Sequence, residues 1–189
     1  MSDNRTKSLI LGSDGQYFEQ KGFDNDGSGN IIDTAHLRIH NGQMFMTGHY
    51  VASLADAATI VILVEAASAM HMIFSAALGG DATFTVTKGV TATTGTALTP
   101  VNKNEYSSLT SLNATAISHT PTGVSGGTAY PTVLLPGGTG GNSSGSSGQG
   151  FSSEIILKTG TNYLITLTNV SGNAKGASLV CEWYEPSNT

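Results

Sequence analysis

Apolar side chains recur at every second position in the last third of this chain, and that spacing most constrains its fold. Two segments, residues 163–169 and 177–184, show the pattern clearly. The residues that share one face in them are Tyr163, Ile165, Leu167, Leu179, Cys181 and Trp183. A period of two belongs to β-strands, whose successive side chains point to opposite faces of a sheet. With residues 154–158 before them, these segments predict three strands.

Further strands are predicted from residue 43 onward, beginning with residues 43–51. Residues 59–66, TIVILVEA, form a short apolar run rich in β-branched residues, which predicts a strand buried on both faces. Residues 70–78 and 81–88 alternate and are joined by Gly79-Gly80. Because glycine readily adopts the positive φ of a tight turn, this junction predicts a β-hairpin.

Two weaker strands are predicted at residues 114–120 and 128–135, and Pro131 restricts the second to a sheet edge because proline cannot donate to a ladder. No segment shows the sustained 3.6-residue periodicity of an amphipathic helix. Several short strands at roughly even spacing favour an all-β fold, a single antiparallel β-sandwich that is jelly-roll-like.

The chain is expected to form one sandwich domain with an extended arm. The domain is assigned to residues 36–189 of the 189-residue chain. Residues 1–35 are polar and turn-rich, which predicts an N-terminal arm with little regular structure. Residues 136–150 are rich in glycine and serine and predict a loop within the domain, because nothing apolar there offsets the entropy cost of ordering.

Composition points to a surface that associates with other protein. Charged residues make up 11% of the chain, against about a quarter in typical domains. So few charges protect a free surface poorly, and we expect partner subunits to cover much of it. Eight scattered Lys and Arg residues and a net charge of -5 argue against nucleic-acid binding.

The sequence also argues against a membrane or a disulfide framework. The longest apolar run, residues 60–64, is far too short to span a bilayer. The N-terminal residues lack the apolar core of a signal peptide, so synthesis and folding in a cytoplasm are expected. Cys181 is the single cysteine and is expected to be a small buried thiol.

Residues 24–31 follow the start of an EF-hand calcium loop. Asp24, Asp26 and Ser28 stand at its first, third and fifth positions. The twelfth position, a bidentate glutamate in an EF-hand, is Ala35, and the flanking segments do not predict helices. The sequence therefore favours a plain Asp/Gly turn cluster, with no metal and no cofactor.

Two patterns that would suggest catalysis or zinc binding lack their structural context. His36 and His40 would share a face only on a helix, and neither a helix nor further ligands are predicted there. Residues 141–145 match G-x-S-x-G, but they lie in a Gly/Ser tract rather than between a strand and a helix. No obvious pair of carboxylates is present either, so the sequence predicts a protein that is not an enzyme.

Three segments resemble a known group of proteins. Residues 39–45 read I-H-x-G-x-x-F, residues 95–104 read G-T-x-x-x-x-x-N-x-N, and residues 154–172 read E-x-I-L-K-x-x-T-x-Y-L-x-x-x-T-N-x-S-G. With their flanks they cover just over half the chain. They resemble the small jelly-roll capsid decoration, or cement, proteins and related virion structural proteins of tailed bacteriophages. Relatives commonly carry Arg where this chain has Glu105, so an ionic contact there would be changed.

The resemblance implies a dimer or trimer that cements the outer capsid lattice and binds the major capsid protein. We therefore expect the chain on the outer surface of the virion, after synthesis in the host cytoplasm. Exposed strand edges and apolar residues in the arm are the predicted contacts with that lattice, and the arm residues are Phe18, Phe23, Ile31 and Ile32.

Two other functions remain open. One is a head fibre, tail component or host-binding adhesin, which would share the sandwich. The other is a carbohydrate-binding module, which is less favoured because aromatic residues are only 7% of the chain and Trp183 lies in a predicted core strand.

Overall fold

The computed structural model describes residues 9–11, 17–19, 34–67, 69–111, 114–137 and 154–184. The chain divides into two compact units, residues 1–34 and 35–189. In the first unit, strand β1 (Leu9–Leu11) pairs antiparallel with β2 (Tyr17–Glu19), with Ile10 opposite Phe18. The expected arm therefore contains some regular structure within its described part.

The second unit is built almost entirely from strands. Its first element is helix α1 (Thr34–His40), which begins one residue before the boundary of the unit at Ala35. Its described strands are β3 (Met44–Leu54), β4 (Thr59–Ala66), β5 (Met70–Leu78), β6 (Ala82–Lys88), β7 (Thr91–Thr93), β8 (Thr96–Ala97), β9 (Val101–Asn102), β10 (Ala114–His119), β11 (Thr122–Ser125), β12 (Thr128–Ala129), β13 (Val133–Leu135), β14 (Ile155–Leu157), β15 (Thr161–Asn169) and β16 (Lys175–Tyr184).

Two antiparallel sheets form the sandwich. The seven-stranded sheet has the order β12-β6-β15-β4-β10-β8, with β13 also paired to β6, and the five-stranded sheet has the order β14-β5-β16-β3-β9. A smaller sheet pairs β11 with β7. The prediction of an all-β antiparallel sandwich is confirmed, and its jelly-roll character stays a prediction.

The core lies between the two large sheets and follows the alternation seen in the sequence. Along β15 and β16 every second residue is buried, including Tyr163 and Trp183. Phe74 of the five-stranded sheet meets Phe84 of the seven-stranded sheet, with ring centroids 6.0 Å apart. Each such large side chain stabilises the fold by roughly 1.5–3 kcal/mol when it is fully buried.

Strand β4 is buried on both faces at its centre, which agrees in part with the prediction from its continuous apolar run. Ile62 and Val64 face the core, and Leu63, which points the other way, is also fully buried. On that outer side Ser118 of β10 lies opposite Leu63 and accepts a hydrogen bond of 3.2 Å from the backbone of Gly95. The chain around residue 95 thus lies over this part of the sheet.

The predicted hairpin across Gly79-Gly80 is wrong. Strand β5 pairs with β14 and β16 in the five-stranded sheet, whereas β6 pairs with β12, β13 and β15 in the seven-stranded sheet. The two glycines carry the chain from one sheet to the other instead. Alternation made each strand recognisable, but two strands with one apolar face each can face each other across a core as readily as they can pair side by side.

The sequence predicts no helix around His36 and His40, but the structure has one there. Helix α1 spans seven residues and ends in a Schellman motif, in which Gln43 N donates to Arg38 O and Gly42 N to Ile39 O, both at 2.9 Å. Gly42 has φ +68°, the left-handed conformation that this cap requires. The I-H-x-G-x-x-F pattern is therefore a helix end followed by the start of β3.

The prediction for Pro131 is confirmed. The segment 128–135 is divided into β12 and β13, which lie on either side of this proline and pair with the same strand, β6. Neither is inserted between two strands of the described sheet.

Candidate interaction surface

The outer face of the five-stranded sheet is mostly apolar. Its rows follow from the strand register, in which Val101, Met46, Glu182 and Ile73 lie side by side across the sheet. The next rows join Gly48 to Val180 and Ser75, and Tyr50 to Ser178 and Ala77. We call this set, together with Ile156 of β14, the outer face.

Large apolar side chains on the outer face are open to solvent. Tyr50 is 67% exposed, Ile156 60% and Val101 58%. Val101 and Ile156 belong to β9 and β14, the strands at the two ends of the described sheet order. Such edges offer unpaired backbone groups, and natural proteins usually protect them with charge or cover. Here the outward side chains of both edges are aliphatic.

A shallow depression lies beside Tyr50. Small residues line it, among them Ala77, Gly79, Gly176 and Ser178. A Cβ atom added at Gly176 would come within 3.9 Å of the Tyr50 hydroxyl. The tyrosine therefore borders a low patch of small residues, a shape that could receive a projecting side chain from another protein.

The central charges of the outer face neutralise each other. Lys103 Nζ lies 2.6 Å from Glu182 Oε2, and both side chains remain about one quarter exposed, at 25% and 28%. Exposed pairs of this kind contribute little to stability. Their effect here is to leave no uncompensated charge next to Met46 and Ile73.

A polar cluster closes one end of this face. The Tyr184 hydroxyl donates to Glu154 Oε1 over 2.9 Å and lies 2.8 Å from His71 Nδ1, which also contacts Glu154 Oε1. The Arg38 guanidinium of α1 lies 5.6 Å above the Tyr184 ring. Burial, and then the hydrogen bond to Glu154, raise the pKa of Tyr184 to about 12. The phenol stays protonated, and the cluster joins α1 and β14 to the sheet.

Two other groups that could react are held within the fold. Burial raises the pKa of the Cys181 thiol to about 12, so the nucleophilic thiolate is scarce. His49 of β3 and His119 of β10 stack across the sandwich with ring centroids 3.9 Å apart. Within the described residues, no group of three or more His, Cys, Asp and Glu side chains is arranged to hold a metal ion.

Most contact and metal residues predicted from the sequence lie outside the described residues: Phe23, Ile31, Ile32, Asp24, Asp26 and Ser28, together with the serine motif at 141–145. Phe18 lies in β2 of the first unit. The sequence predicts contacts at exposed strand edges, where Val101 and Ile156 lie, but it does not single out the outer face between them. A signal was present, since β5 and β16 carry apolar residues, Ile73 and Val180, on the face opposite the core.

In the described part of the chain, no helix has the length and apolar character needed to cross a membrane. Comparisons with protein-family models, curated proteins and solved structures found no match to this chain.

Proposed function

We propose that this chain is a non-enzymatic capsid decoration, or cement, protein that binds the major capsid protein and copies of itself on the outer head lattice of a tailed phage. The observation that carries the proposal is the outer face of the five-stranded sheet, with Tyr50, Val101 and Ile156 exposed on it. Together with the sequence resemblance, this surface favours a function in protein–protein contact.

The chemistry of the outer face suits an interface. Contiguous exposed apolar surface on a stable domain is a mark of protein interaction sites. Interface centres are depleted in charge and enriched in aromatic residues, and tyrosine is frequent among the residues that dominate binding energy. Tyr50 has this character, and the Lys103–Glu182 pair supplies the nearby charge in compensated form.

The face is also formed by the fold itself. It lies on β3, β5 and β16, whose opposite faces form the core of the sandwich. A preformed sheet loses little conformational entropy on association, so more of the contact energy appears as affinity. A protein that must hold neighbouring capsomers in fixed positions would benefit from such a surface.

The proposal is tested by co-sedimentation of the purified chain with phage heads that lack it, with bound copies counted per head. Saturation at hundreds of copies is expected for a cement protein. Saturation at a dozen or so copies would overturn the cement function in favour of a fibre or another component at the vertices. No binding to the heads would overturn the capsid proposal altogether.

The site is tested by a matched pair of substitutions. Ile156→Lys and Leu134→Lys each place a charge on a three-residue strand, β14 or β13, at side chains that are 60% and 63% exposed. Ile156→Lys and Tyr50→Lys are expected to weaken head binding by about tenfold or more. Leu134→Lys, on the other sheet, should bind as the unmodified chain does. Equal losses for all three would show that the outer face is not the contact surface.

A further inference from the structure

Helix α1 places two imidazoles at one point on the surface. His36 and His40 are four residues apart, one helical turn, and both side chains are exposed. Their Nε2 atoms lie 2.9 Å apart, and their rings meet at 63° with centroids separated by 4.6 Å. The two Nε2 atoms therefore lie close enough together for a single ion to contact both.

We propose that His36 and His40 form a two-point chelate for a divalent transition-metal ion, Cu²⁺ or Ni²⁺. With metal–nitrogen bonds of about 2.0–2.1 Å, a separation of 2.9 Å between the nitrogens corresponds to an angle of about 90° at the metal. That is the angle between neighbouring ligands in square-planar and octahedral complexes, which Cu²⁺ and Ni²⁺ adopt. A tetrahedral Zn²⁺ ion would need the nitrogens about 3.3 Å apart. Water fills the remaining positions.

Binding the ion replaces an existing contact between the two rings. Without metal, one Nε2–H donates to the other Nε2. When the ion binds, the donor ring moves its proton to Nδ1, so that both Nε2 lone pairs face the metal. No proton is released overall when both rings are neutral, and each ring keeps its remaining N–H for solvent.

The backbone that carries the two histidines is held in place. The Schellman motif around Gly42 ends the helix directly after His40. Asn104 Nδ2 donates to the carbonyl oxygen of His40 over 3.0 Å, and Asn102 Nδ2 donates to that of Gly42 over 2.8 Å. A chelate whose ligands are already positioned loses less entropy on binding than one on a flexible chain.

Arg38, the charged side chain of α1, does not oppose the cation. Arg38 lies on the other side of the helix, roughly 200° around the axis from His36 at 100° per residue. Its guanidinium lies over Tyr184, and its Nη1 donates to Gln43 Oε1 over 2.6 Å. The two histidines and this arginine therefore face different surroundings.

The other three histidines are arranged differently. The rings of His49 and His119 are nearly parallel, at 13°, so their lone pairs lie in separate planes and do not meet at one ion. In His71, Nδ1 contacts Glu154 and Tyr184. Chelation by two histidines is thus confined to α1 among the described residues.

The test uses the full chain without an affinity tag, titrated with CuCl₂ and NiCl₂ at pH 7.5 by calorimetry. One ion per chain is expected at the site, with Ni²⁺ bound more tightly than Zn²⁺. His36→Ala and His40→Ala should each weaken the binding about tenfold or more, because one of two ligands is lost. Electron paramagnetic resonance of the Cu²⁺ complex should show coupling to two imidazole nitrogens.

A spacing variant separates chelation from histidine content. His40→Ala combined with Leu37→His keeps two histidines on α1 but places them at neighbouring positions that do not face each other. Leu37 is 46% exposed, so the exchange leaves the core intact. This variant should bind as weakly as His40→Ala. Binding as tight as in the unmodified chain, or unchanged binding in His36→Ala, would overturn the proposal. Neither result depends on the capsid function.

Discussion

The side-chain amide of Asn169 donates to the carbonyl oxygen of Leu54 over 2.9 Å and thereby links the two sheets of the sandwich. Asn169 ends β15 and is fully buried, while Leu54 ends β3. The same Nδ2 also contacts the carbonyl oxygens of Ala55 and Asn173, and Oδ1 accepts from the backbone and hydroxyl of Ser171. One amide therefore satisfies several backbone groups where the chain changes sheet.

Asn169→Ala is expected to lower the free energy of unfolding by roughly 2–4 kcal/mol, because the buried carbonyl oxygen of Leu54 loses its partner and four partly buried hydrogen bonds are lost as well. Urea denaturation measures the loss. Asn173→Ala is the matched control, since Asn173 is exposed and takes part through its backbone carbonyl. The control should stay within about 0.5 kcal/mol of the unmodified chain. Equal stability of the two variants would contradict the role of the Asn169 amide.

Gly42 occupies a position that no other residue fits. Its φ of +68° is strained for residues with a side chain, and an added Cβ would lie 2.1 Å from Ser107 Oγ and 2.5 Å from Ser107 Cβ. Gly42→Ala should therefore cost about 1–2 kcal/mol for the left-handed backbone and about 1–3 kcal/mol more for the overlap. Thermal denaturation followed by circular dichroism gives the change in stability.

Gly160→Ala is the control for the backbone part of that cost. Gly160 has nearly the same φ, +67°, but no atom lies within 4 Å of its added Cβ. It should cost only the backbone strain, about 1–2 kcal/mol. A Gly42→Ala variant no less stable than Gly160→Ala would show that Ser107 moves away without cost.

Alternation predicted where strands lie but not which strands pair. The spacing of Tyr163, Ile165 and Leu167 is a local property of one strand, and their burial was confirmed. Pairing is a non-local property that depends on which faces meet across the core. Gly79-Gly80 therefore predicts a hairpin between β5 and β6. In the structure these two strands lie in different sheets and face each other across the core, with Phe74 against Phe84.

Helix α1 was missed because seven residues are too few to show helical periodicity. Its C-terminal signal, Gly42, is present in the sequence, but a single glycine without helical periodicity before it does not identify a helix end. The outer face was equally hard to predict. Residues such as Tyr50 are polar enough at one end to suit solvent, and only the strand register places them beside Ser178 and Ala77.

Cys181 is expected to be inert towards thiol reagents in the folded chain. It is fully buried in the core, and burial raises its pKa to about 12, so neither access nor thiolate is present at neutral pH. Reaction with a chromogenic disulfide should be slower than in urea-unfolded chain by about a thousandfold or more. Fast labelling under native conditions would contradict this burial. Cys181→Ala, which has no thiol, provides the blank.

The stack of His49 on His119 predicts a loss of stability in mild acid. Desolvation, and then the charge of His119, lower the pKa of His49 in the folded chain below its usual 6.5. Between the folded and the unfolded pKa the unfolded chain therefore binds more protons at this position. The contribution of His49 is complete above pH 6.5 and decreases as the pH falls from 6.5 towards the folded pKa.

The midpoint of urea denaturation, measured from pH 8 to pH 5, should therefore decrease as the pH falls through 6.5. His49→Phe keeps an aromatic ring against His119 but cannot take up a proton, so its midpoint should change less over this range. His36→Phe, at an exposed histidine outside the stack, is the matched control and should retain the full decrease. Other sources of pH dependence are shared by all three chains, so the difference between variants isolates His49. If the midpoint of the His49→Phe chain decreases as much as that of the control, protonation of His49 does not cause the loss of stability.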